Sequence, residues 1–122
     1  MTRVLLAEDE AQLREILHEG LLDEGFEVEA AVDGADALRI YRTRGPFDVI
    51  LVDEEMPGLT GRRLLRTLRE EGERVGAVIL SGNLVLDVVE CAALGVGSVL
   101  RKPVSMREIV AALRAAAARP RP

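Results

Sequence analysis

Five polar residues stand directly behind short apolar runs, and their types define one kind of chemistry. Glu8 and Asp9 follow Val4-Leu5-Leu6-Ala7, and Asp53 follows Val49-Ile50-Leu51-Val52. Ser81 follows Ala77-Val78-Ile79-Leu80, and Lys102 lies just past Ser98-Val99-Leu100. Three carboxylates gathered in one place repel one another and are costly to keep ionised without a cation. Hard oxygen ligands with few other donor types favour Mg²⁺ over zinc or copper. A lysine and a hydroxyl beside such a cation can hold the oxygens of an anion that the metal also touches.

These residues meet only if the apolar runs are neighbouring strands that end at one edge. The pattern around them supports that. Helical spacing follows each run: Leu13, Ile16, Leu17 and Leu21 after the first, and Leu64, Leu65 and Leu68 after the third. Phe26 to Ala31 alternates like a further strand, and Asp33 can cap the helix after it, which runs to about Thr43. Gly45-Pro46 breaks the chain before the clearest strand, Phe47 to Val52. The last helix opens on a capping box, with Ser105 and Glu108 three residues apart. Five strands alternating with five helices imply a parallel sheet covered on both faces, a doubly wound α/β domain. Such folds place their sites at the carboxyl ends of the strands.

Composition sets bounds on function. The 122 residues suffice for one domain with a real core, at 48% apolar and 30% charged residues. Residues 1–118 read as that domain, and Arg119-Pro120-Arg121-Pro122 as a frayed tail or linker stub. A net charge of −5 gives nucleic acid no reason to bind directly. No apolar run approaches the roughly 18–20 residues that cross a bilayer. Glu8, Asp9 and Glu10 come too early for a signal peptide, and the single cysteine, Cys91, leaves no internal disulfide. A soluble cytoplasmic domain is the expectation.

Taken together the motifs resemble the receiver domain of two-component response regulators. The matching pieces are Val4-Leu5-Leu6-Ala7-Glu8-Asp9-Glu10, then Asp53-Glu54-Glu55-Met56-Pro57-Gly58-Leu59-Thr60-Gly61, Leu80-Ser81-Gly82 and Arg101-Lys102-Pro103. They occur in that family's order and spacing over essentially the whole chain. The resemblance implies a flavodoxin-like sheet of order 2-1-3-4-5. It also implies a phosphoacceptor that takes a phosphoryl group on Asp53 from a histidine kinase or phosphotransfer protein. Such a domain assists its own phosphorylation and dephosphorylation rather than turning over a substrate. By the same resemblance Asp9 and Asp53 would bind Mg²⁺ directly with the backbone carbonyl of Glu55, and Glu8 would act through water. Glu54, Ser81, Gly82 and Lys102 would surround the phosphoryl oxygens. Pro103 would follow a cis peptide bond that aims Lys102 inward.

Four positions depart from the family's usual pattern. Glu54 and Glu55 stand where an apolar and a small polar residue are more common. Glu54 is expected to point to solvent, while Glu55, with Asn83, borders the path of the hydrolytic water and tunes the lifetime of the phosphoryl group. Val99 replaces the usual tyrosine or phenylalanine of the switch, and Val104 replaces another common aromatic. The segment from Leu84 to Leu94 suggests a substitute readout. Val85, Val88 and Ala92 can face the sheet, leaving Leu86, Val89 and Ala93 to join Val99 and Val104 as a dimer or partner surface on the fourth helix and fifth strand. Two rival readings are an adaptor that binds proteins without phosphorylation and an aspartate-nucleophile phosphatase. The complete acidic set with Ser81 and Lys102 argues against the first, and the absence of a cap segment against the second.

Overall fold

The computed structural model describes residues 1–82 and 87–119. The apolar runs become the strands β1 (Arg3–Ala7), β2 (Glu27–Ala31), β3 (Val49–Asp53), β4 (Gly76–Ser81) and β5 (Val96–Arg101). Between and after them lie α1 (Ala11–Asp23), α2 (Gly34–Arg44), α3 (Gly61–Glu70), α4 (Val88–Ala93) and α5 (Met106–Ala118). All strand pairs are parallel, in the order β2-β1-β3-β4-β5.

Strand alternation divides the interior into two cores. Leu5, Ala7, Ile50, Val52, Ala77 and Ile79 face one side, where Ile40 of α2, Leu64, Leu65 and Leu68 of α3, and Cys91 of α4 cover them. Val4, Leu6, Val49, Leu51, Val78 and Leu80 face the other, against Leu17 and Leu21 of α1 and Ile109 and Leu113 of α5. Burial on both faces is why the three central strands read as unbroken apolar runs rather than as alternating patterns. Four helices start on side-chain caps. Asp33 accepts from the Asp36 amide, Thr60 from Arg63, Asp87 from Val89 and Glu90, and Ser105 from Glu108.

Register then fixes the site. Ala7 lies opposite Val52, Asp53 opposite Leu80, and Ser81 opposite Arg101. Glu8, Asp53, Ser81 and Lys102 therefore emerge at one edge, the edge at which doubly wound sheets work.

Two helix faces differ from expectation. Ile16 is 63% exposed, and α1 turns Leu17 and Leu21 inward instead. In α4 the phase is set by Cys91 and Leu94, both buried, so Val88 and Ala92 point outward rather than onto the sheet. The reason is that Asp87 is the N-cap rather than a polar position within a longer helix. Asn83, Leu84, Val85 and Leu86 lie outside the described residues, as do residues 120–122 of the expected tail. Among the described residues no helix is long and apolar enough to cross a membrane.

The close seating of α5 on the sheet depends most on Gly76. A Cβ on Gly76 would lie 2.6 Å from the backbone oxygen of Ala116. Gly76→Ala is expected to push α5 off the sheet and to cost about 1–3 kcal/mol. Urea unfolding should show this as a lower midpoint with an unchanged slope.

Candidate functional site

Asp53 closes β3 with its side chain almost wholly buried, at 3% exposure. Its two carboxylate oxygens are held separately. Lys102 Nζ donates to Oδ2 at 2.6 Å, and the Glu55 backbone N–H donates to Oδ1 at 2.9 Å. Burial works against the Lys102 charge, but the Asp53 hydrogen bond and the negative charges of Asp53, Glu8 and Glu55 outweigh it and raise its pKa. The Lys102–Pro103 peptide bond is cis.

Glu8 shows the strongest electrostatic perturbation. It is 1% exposed, and its Oε2 accepts from the Glu10 backbone N–H at 3.0 Å. Its Oε1 is the buried side-chain oxygen without a partner among the described residues. Burial, then the hydrogen bond and charge of Asp53, push the Glu8 carboxyl from 4.5 up to about 8. Carboxylate oxygens of Glu8, Asp9 and Asp53 lie within 4.8 Å of one another. An orphaned buried oxygen inside an all-oxygen acidic set is the arrangement a hard divalent cation completes, and these residues fit one.

Ser81, 1% exposed at the end of β4, faces Glu55 rather than solvent. Its hydroxyl donates to Glu55 Oε2 at 2.8 Å, and the Gly82 backbone N–H donates to Glu55 Oε1. The Glu55 side chain thus joins the hydroxyl side of the pocket.

Glu54 departs from the expectation that it points to solvent. It is 5% exposed and does not point to solvent. Its carboxylate turns under the start of α3, accepting from the Arg62 backbone N–H at 2.8 Å and from Arg62 Nε at 3.2 Å. Its backbone N–H donates to the Leu80 carbonyl at 2.8 Å. Two physical features draw the side chain inward. The helix N-terminus offers unpaired N–H groups to an anion. Gly61 leaves the room, since a Cβ there would lie 3.3 Å from Glu54 Oε1. Arg62 also reaches Glu90 of α4 through Nη1 at 3.1 Å, and Arg66 pairs with the same glutamate. Arg62 and Glu90 were not anticipated as site residues. The signal is Gly61-Arg62 opening a helix seven residues past Glu54.

The expected apolar stripe is only partly assembled. Val89 and Ala93 of α4 and Val99 of β5 are exposed. Val104 is instead half-buried against the core under α5, and Leu86 lies outside the described residues.

The family model for the "Response regulator receiver domain" matches residues 4–114. The chain belongs to that family. This receiver domain is 33% identical to the transcriptional regulatory protein PcoR of Escherichia coli over 115 residues, 93% of the chain and 50% of PcoR. It is 35% identical to TrcR of Mycobacterium tuberculosis over 113 residues, 92% of the chain and 44% of TrcR. The chain thus spans about half the length of the curated relatives it matches. Among solved structures, a receiver domain from Clostridium thermocellum superposes with a TM-score of 0.87 at 28% identity, covering 96% of this chain and 94% of that one. The response regulator TrrA of Thermotoga maritima, in complex with Mg(2+)-BeF, superposes at 0.83 and 25% identity, covering 94% and 98%.

Two expected outcomes follow from the geometry. Between pH 4.5 and about 8 the folded receiver domain holds a proton on Glu8 that the unfolded chain releases. Without divalent cations its stability should therefore fall as pH rises through that window, by no more than about 1.4 kcal/mol per pH unit, and level off above it. Urea melts in chelator at several pH values would show this, and Glu8→Gln should flatten the profile. Arg62→Met should leave the Glu54 carboxylate buried without its counter-charge and cost about 3 kcal/mol. Arg62→Met combined with Glu54→Gln should recover most of that loss.

Proposed function

We propose that this receiver domain accepts a phosphoryl group on Asp53 from a histidine kinase or phosphotransfer protein and presents the changed surface to a partner or effector. The observation that carries the reading is Asp53 itself. It is a buried carboxylate held by Lys102, set among Glu8 and Asp9, with the Ser81 hydroxyl on the adjacent strand. A carboxylate oxygen of Asp53 attacks the phosphorus of a phosphohistidine, and an O–P bond forms as the N–P bond breaks. The histidine nitrogen leaves with the bonding electron pair and takes up a proton from solvent.

The roles of the chain's own groups follow from charge. Formation of the acyl phosphate removes the carboxylate charge that Lys102 faces on Asp53, so the ammonium is released to pair with a phosphoryl oxygen. The Ser81 hydroxyl and the Gly82 N–H are the donors for the remaining oxygens, and the Glu55 N–H keeps the Asp53 carboxylate in its rotamer. Mg²⁺, held by Asp9, Asp53 and the Glu55 carbonyl with Glu8 acting through water, would neutralise the charge that develops on the transferring group. The complex of TrrA with Mg(2+)-BeF supports both the metal and the anion.

The readout in this domain runs through a different contact from the usual aromatic one. Val99 offers no ring, but Glu54, next to Asp53, is tied by Arg62 to Glu90 of α4. A shift of the β3–α3 loop on phosphorylation would then move α4, whose Val89 and Ala93 are exposed, as is Val99 of β5. That surface is the one proposed for a partner or a second copy.

Acetyl phosphate and beryllofluoride test the reading. With Mg²⁺, the wild-type domain should gain one phosphoryl group by intact mass spectrometry after acetyl phosphate treatment. Chelator and Asp53→Asn should each abolish the gain. Phosphorylation of Asp53→Asn at the wild-type level would sink the assignment.

A further inference from the structure

We infer that the Glu55 side chain is a displaceable latch over the phosphoryl-binding donors, which the incoming group must open. The inference rests on the phosphoacceptor reading and adds the regulation of that site. The latch is built from two adjacent donors and one carboxylate. Ser81 Oγ donates to Glu55 Oε2 at 2.8 Å, and Gly82 N–H donates to Oε1. A hydroxyl carries one proton, so the Ser81 donor is committed while Glu55 is in place. A carboxylate offers two negatively charged oxygens on a short fork, the same kind of acceptor that two oxygens of a phosphoryl group present. Glu55 therefore resembles the ligand's charge and bonding at the very groups that would bind it.

Other contacts make the latch releasable rather than structural. Among the described residues Glu55 makes no ion pair, and its side chain is exposed on the loop after β3. A Cβ on Gly82 would come within 3.3 Å of Glu55 Oε1, so the glycine gives the carboxylate room at the N–H. Glu54, one residue earlier, has the opposite setting, buried and held by Arg62. Two consequences follow. In the resting state Glu55 adds a negative charge beside an already acidic pocket and opposes an incoming anion. Once a phosphoryl group is on Asp53, the same charge repulsion keeps Glu55 turned away.

The test uses beryllofluoride with Mg²⁺ as the phosphoryl probe, titrated by calorimetry and by the Gly82 amide resonance. Wild type, Glu55→Ala and Glu55→Gln are compared, with Asp53→Asn as the control for the site. The latch predicts that Glu55→Ala shifts the Gly82 amide in the free protein and binds beryllofluoride about tenfold tighter, the worth of one charge-assisted hydrogen bond in water. Glu55→Gln, which keeps an acceptor oxygen without the charge, should fall between wild type and Glu55→Ala. Acetyl phosphate should label Glu55→Ala faster than wild type. An unmoved Gly82 amide, equal or weaker binding by Glu55→Ala, or equal tightening in Glu55→Ala and Glu55→Gln would each overturn the latch. If wild type binds beryllofluoride in an Asp53-dependent way while those results appear, the phosphoacceptor reading survives without the latch. If no variant binds at all, both are lost.

Discussion

The structure is organised around a concentration of like charge that the sheet will not let disperse. Glu8, Asp9 and Asp53 have carboxylate oxygens within 4.8 Å of one another because β1 and β3 are neighbours in fixed register. Neither strand can slip to relieve the repulsion. Each is apolar on both faces, and a one-residue shift would exchange the residues of the two cores. Packing energy spread over thirty buried apolar residues thus holds in place a local arrangement that is unfavourable in itself. Lys102 neutralises one charge of the set at Asp53, and Glu8 answers the rest by keeping its proton to about pH 8. A divalent cation and a phosphoryl group are the two further partners that would balance the site, and each is favoured by the imbalance the fold maintains.

The same constraint explains where the remaining acids go. Glu54 finds an anion site at the N-terminus of α3 and a guanidinium beside it, so it can be buried without joining the cluster. Its hydrogen bonds and those of Arg62 and Arg66 to Glu90 link the loop after Asp53 to α3 and α4. A buried ion pair of this kind is weak as a source of net stability but strong as a fixer of geometry once formed. Its effect here is to tie α4, a helix of six residues with two exposed valines, to the loop beside Asp53.

Much of this was legible in the sequence because strand signals carry no phase problem. A run such as Val49-Ile50-Leu51-Val52 is buried whichever face each residue takes, so the strand, its end and the residue behind it follow together. The clustering of Glu8, Asp9, Asp53, Ser81 and Lys102 needed only that inference and the rule that α/β sites lie at strand ends. Helix faces are less secure, because an error of one residue in the start rotates the face by about 100°. Ile16 and Val88 were placed inward on spacing alone, and the structure turns both outward. For α4 the deciding feature was Asp87, whose capping role sets the first turn. The orientation of Glu54 was beyond pattern reading for a different reason. It is decided by contacts with Gly61 and Arg62 in the next element, and no local periodicity encodes a tertiary choice between solvent and a helix terminus.

Glu54 and Glu55 are adjacent and chemically identical, and their opposite settings show how the fold separates a tightly held carboxylate from a loosely held one beside Asp53. The Glu54 N–H continues the ladder to Leu80, which directs its side chain beneath α3. One residue on, the Glu55 N–H has left the ladder and turns back to Asp53 Oδ1, so its side chain lies across the pocket toward β4. Moving Glu54 would strand a buried charge and unpair Arg62, whereas moving Glu55 exchanges two hydrogen bonds for equivalent ones with water. The large difference in those two costs arises from a single step of the backbone out of the sheet. Beside Asp53, consecutive residues thus supply one group that is costly to move and one that is inexpensive to move.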